Sequence, residues 1–62
     1  MNSNIKIGDL VKLKKEVYYR TLKNDLGVLI EKLGTKCHIY NIYIIKTQEC
    51  HAFFDNEFEK VI

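Results

Sequence analysis

Apolar and basic side chains alternate strictly over Val11-Lys12-Leu13-Lys14, and Ile5, Ile7 and Leu10 precede them in IKIGDLVKLKKE. A period of two puts successive side chains on opposite faces of an extended chain, so this stretch predicts a strand with one buried face. Gly8-Asp9 supplies a tight turn leading into it. The following VYYRTLKND mixes aromatic and polar residues without a period and reads as a long loop. GVLIEKL opens on Gly27 and ends near Gly34-Thr35, a short apolar run of the kind a second strand uses.

A third and longest strand is predicted from about Lys36 to Ile44, because CHIYNIYII is dense in β-branched and aromatic residues. Lys46-Thr47-Gln48 lacks glycine, which favours a connection of about three to five residues over a two-residue one. A fourth strand follows from Glu49 to Phe54. Asp55-Asn56 breaks it, Glu57-Phe58 makes one helical turn, and a last strand covers Glu59 to Ile62. Five short strands with mostly local connections predict a closed or nearly closed barrel, since closure removes the exposed edges of a sheet. A second pattern competes. Tyr18, Leu22, Leu26, Leu29 and Leu33 recur at spacings of four, four, three and four, which fits an amphipathic helix over residues 17–33 capped by Gly34. Gly27 would weaken that helix by about 1 kcal/mol relative to Ala, and the fold would then be α+β.

A chain of 62 residues makes a single domain, residues 1–62, with little room for a deep catalytic pocket. Its 47% hydrophobic and 29% charged content is that of a folded globular protein and not of a disordered one. No apolar run approaches the roughly 18 to 20 residues that span a bilayer, and MNSNIKIGD has neither the basic start nor the apolar stretch of a signal peptide. No membrane partner is expected, and the reading is cytoplasmic. With no proline and three glycines, Asn and Asp are expected to carry much of the turn chemistry. The formal charge is +2, divided as +3 over residues 1–32 and −1 over residues 33–62. That is a mild basic end, well short of a strong electrostatic footprint for DNA.

IKIGDLVKLK at 5–14, the long loop, LGVLIEKL at 26–33 and FFDNEFEKVI at 53–62 resemble the Src-homology-3-like barrel superfamily, in the layout of its short phage-encoded and bacterial members. A family of small accessory proteins of photosystem I is similar in order, with a GD-V opening, an aromatic loop, a GTV strand and a closing EL-E-V segment. Glu57, Phe58, Glu59 and Val61 hold the last places here, with Phe58 where that pattern has Leu. The resemblance implies an all-β, five-stranded barrel. It also implies a binding module, viral or bacterial in origin, working in a host cytoplasm or a virion. Binding would use the loop Val17–Asp25 and the connection from Leu33 to Lys36; fold alone does not choose the ligand.

Two Cys-His dipeptides, Cys37-His38 and Cys50-His51, contain zinc-ligand types. Neighbours in a strand point to opposite faces, whereas structural zinc sites space paired ligands about two to four residues apart. No metal and no cofactor are therefore expected. A hairpin turning near Lys46-Thr47 sets Cys50 opposite Tyr43 and away from Cys37, so the thiols are expected to be free. No nucleophile–base–acid set and no phosphate-cradling glycine loop can be assembled, which argues against an enzyme and against a small-molecule substrate. Asp55, Glu57 and Glu59 read as a solvated acidic cluster.

The basic-aromatic segment carries the functional expectation. Tyr18, Tyr19, Arg20 and Lys23 form a candidate surface for docking on a larger protein or protein assembly, because Tyr and Arg concentrate at interface hot spots. Lys12, Lys14, Lys15 and Arg20, interleaved with tyrosines, form the alternative, a nucleic-acid surface on which bases stack while cations follow phosphates. A purely structural role is the third reading: a tyrosine capping the barrel and lysines blunting an edge strand.

Overall fold

The computed structural model describes residues 5–16, 23–34 and 38–61. The fold is all-β. Strands β1 (Leu10–Leu13), β2 (Leu26–Leu33), β3 (Ile39–Ile44), β4 (Glu49–Phe54) and β5 (Phe58–Lys60) form one antiparallel sheet in the order β4-β3-β2-β1-β5. A single 3-10 turn, Asp55–Glu57, separates β4 from β5. No helix of the described residues is long and apolar enough to cross a membrane.

Alternation builds the core. Val11 and Leu13 of β1, Leu29 of β2, Tyr40, Ile42 and Ile44 of β3, Phe53 of β4 and Phe58 of β5 share one face and are buried. Tyr40 and Phe58 meet edge to face with ring centroids 5.5 Å apart. Their strands lie three steps apart in the sheet, about 14 Å if it were flat, so the sheet must curl to bring them together. The curl begins in β2, where the pairing with β3 shifts between Leu29 and Glu31; an extra residue on one strand bends it and increases its twist. Curling does not complete a barrel. β4 and β5 remain the two ends of the sheet and are not paired with each other among the described residues, which corrects the expectation of closure. Phe58 inward and a three-residue β5 place the two edges around the core without a ladder between them.

Gly27 sits inside β2 because β3 leaves no room for a side chain. A Cβ built there would lie 2.6 Å from Cγ2 of Ile42 and 2.8 Å from the carbonyl oxygen of Tyr43. The competing helix over 17–33 is absent from its described part. Leu26–Leu33 is extended, with Leu29 buried and Leu26 exposed, so leucines spaced for one helix face fall on both faces of a strand. Tyr18 and Leu22 lie outside the described residues.

The turns explain where strand boundaries depart from expectation. β3 starts at Ile39 because His38, at φ 50°, is not extended. The β3–β4 connection, Ile45 to Gln48, closes with the Gln48 amide donating to the Ile44 carbonyl at 2.8 Å, and Gln48 has φ 58°. Asn24 at φ 74°, Gly8 at φ 95° and Gly34 at φ 79° take the other left-handed positions among the described residues. In Lys6–Asp9 the Asp9 amide donates to the Lys6 carbonyl at 3.0 Å and the Asp9 carboxylate accepts from the Lys6 amide at 2.7 Å. Gly8 stands at the third place of that turn, where a positive φ is required. Before β5, the Glu57 carboxylate accepts from the Phe54 amide at 2.8 Å. The one-turn helix therefore falls at Asp55–Glu57, not Glu57–Phe58, and frees Phe58 to open β5 in the core.

Candidate functional site

The connection from β1 to β2 is held shut at its root. The Leu13 amide donates to the Asp25 carbonyl at 2.9 Å and the Asn24 amide donates to the Leu13 carbonyl at 2.8 Å. On the other side the Lys14 amide donates to the Glu57 carbonyl at 2.9 Å, tying the start of the loop to the 3-10 turn. These bonds bring Lys14 and Lys15, which leave β1, beside Lys23, which leads back to β2. All three are exposed, and none makes an ion pair among the described residues. Between the two roots the sequence carries Tyr18, Tyr19 and Arg20, which lie outside the described residues, as does Cys37.

Several carboxylates elsewhere in the fold have partners. Glu59 faces Lys12 across the β1–β5 pair at 3.5 Å, and Asp9 faces Lys60 at 3.6 Å. Asp55 lies 3.9 Å from Nδ1 of His38, Glu49 lies 3.5 Å from Nε2 of His51, and Glu57 caps the 3-10 turn. Exposed pairs of this kind contribute about 0 to 1 kcal/mol each, but they decide which charges face outward uncompensated. Lys12 is committed to Glu59. Lys14, Lys15 and Lys23 are not, and they flank the root of the β1–β2 connection, with the exposed Glu16 following Lys15.

Cys50 is exposed, free of a disulfide, and opposite Tyr43. Its neighbour His51 points to the other face of β4, edge-on to Phe53 at 6.5 Å between centroids. No three His, Cys, Asp or Glu side chains come together as a metal site among the described residues.

The outer face of the sheet holds a surface that the alternating pattern did not single out. Leu10 pairs with Val28, Val28 with Tyr43 and Tyr43 with Cys50. The Val61 amide donates to the Leu10 carbonyl at 3.0 Å, so Val61 extends the same row. Alongside it lie Leu26 and Ile45, joined by the Ile45 amide donating to the Leu26 carbonyl at 3.2 Å. A row of apolar side chains, half-buried at Leu10, Val28 and Tyr43, thus runs across β1 to β4 on the side away from the core, with Val61 just past β5, whose own outward residue is Glu59. The signal was in the sequence as unbroken apolar runs, Leu10-Val11 and Val28-Leu29-Ile30, where a one-faced strand would have alternated.

The chain matches no family model, no curated protein and no solved structure.

Proposed function

We propose that this chain is a non-enzymatic binding module of the Src-homology-3-like type, which docks on a larger protein through the loop between β1 and β2. The motifs behind that type, at 5–14, 26–33 and 53–62, become β1 with its turn, β2, and the end of β4 with the 3-10 turn and β5. A phage or bacterial origin and a cytoplasmic or virion setting belong to the same proposal. The observation that carries it is the loop root: two backbone bonds at Leu13 hold exposed, uncommitted Lys14, Lys15 and Lys23 on either side of a segment bearing Tyr18, Tyr19 and Arg20. A fixed stem with exposed cations, joined to a segment whose sequence carries aromatics, suits a hot spot, because aromatic rings give contact area at low entropy cost.

Nucleic acid is the second reading, favoured by the same uncompensated lysines. It is weaker because Lys12 is held by Glu59, which leaves Lys14 and Lys15 as the described members of its basic set. The test is capture of partners by the tagged chain with mass spectrometry, before and after nuclease, followed by calorimetry. A protein partner should survive nuclease. The double change Tyr19→Ala/Arg20→Ala should weaken binding by at least ~2 kcal/mol, as hot-spot truncations do, without moving the thermal midpoint. Capture abolished by nuclease, with affinity falling steeply as salt rises, would establish the second reading. Unchanged affinity in the double variant would place the site elsewhere.

A further inference from the structure

We draw no further inference here: the strongest candidate, the surface patch of exposed Leu26 and Ile45 beside the half-buried row Leu10, Val28 and Tyr43 on the outer face of the sheet, is an apolar face bordered by Lys12 and Glu59, and nothing in the structure shows what covers it.

Discussion

Replacing Gly27 with Ala opposes two physical effects that predict different signs. Gly27 has no positive φ to protect, and glycine inside a strand is a weak choice on propensity grounds. Restricting the unfolded chain with a methyl group should stabilise by about 0.4 to 1 kcal/mol where the native conformation accepts it. The folded structure does not accept it. The new Cβ would stand 2.6 Å from Ile42 Cγ2 and 2.8 Å from the Tyr43 carbonyl oxygen, with Ile44 Cδ1 at 3.4 Å, against ~3.5 to 4.0 Å for favourable carbon contacts. Ile42 is fully buried, and the carbonyl belongs to the strand backbone, so neither swings aside cheaply. Overpacking of this kind costs about 1 to 3 kcal/mol, leaving a net loss of roughly 1 to 2 kcal/mol once the unfolded-state gain is subtracted. For a domain of this size each kcal/mol lowers the melting midpoint by about 4 to 8 °C, so Gly27→Ala should melt ~5 to 15 °C below the parent. Thermal and urea unfolding followed by circular dichroism measure it. A midpoint equal to or above the parent's would refute the close approach of β2 and β3 at this point.

Phe58→Ala removes a fully buried ring and its edge-on contact with Tyr40. It should cost about 3 to 5 kcal/mol, comparable to the whole stability of so small a domain; amide spectra should lose their dispersion at about 37 °C, and a folded variant melting near the parent would contradict the assigned core. Gln48→Gly acts in the opposite direction. A side chain at φ 58° costs ~1 to 2 kcal/mol and the freer unfolded chain takes back about 0.4 to 1 kcal/mol of what glycine relieves, so the midpoint should rise by a few degrees; a fall would show that the Gln48 side chain contributes to the turn.

Strand content was legible in the sequence because burial on one face writes a period of two into it. Val11 and Leu13 alternate with lysines, Tyr40, Ile42 and Ile44 alternate along β3, and the opposition of Tyr43 and Cys50 followed from counting back from the turn. Boundaries were less legible where a single dihedral decided them. Nothing in the identity of His38 announces φ 50°, and the capture of the Phe54 amide by Glu57, which moves the 3-10 turn earlier, depends on a side-chain rotamer. The leucine spacing from Tyr18 to Leu33 imitated a helix because β2 carries apolar side chains on both faces, and it does so where the outer row crosses it. Closure was overestimated because a short β5 can cover the core from one side without pairing to β4. Of the expected docking residues only Lys23 is described; Lys14 and Lys15 were chosen for charge, and what sets them apart from Lys12 is its ion pair with Glu59, which sequence separation hid.

The strand order has a consequence for how the chain comes into being. β1 is made early, yet one of its two sides pairs with β5, so Val11 and Lys12 await Lys60 and Glu59 while everything between them is translated. At ~5 to 20 residues per second that wait is a few seconds. During it β2, β3 and β4 can zip locally, with short loops and little entropy to overcome, but Tyr40 has no Phe58 to pack on and the core lies open along that edge. The nascent domain therefore passes through a sticky interval whose length is set by translation speed. Synonymous slow codons between β4 and β5 would lengthen it, and any factor that shields the chain during synthesis would act on that edge.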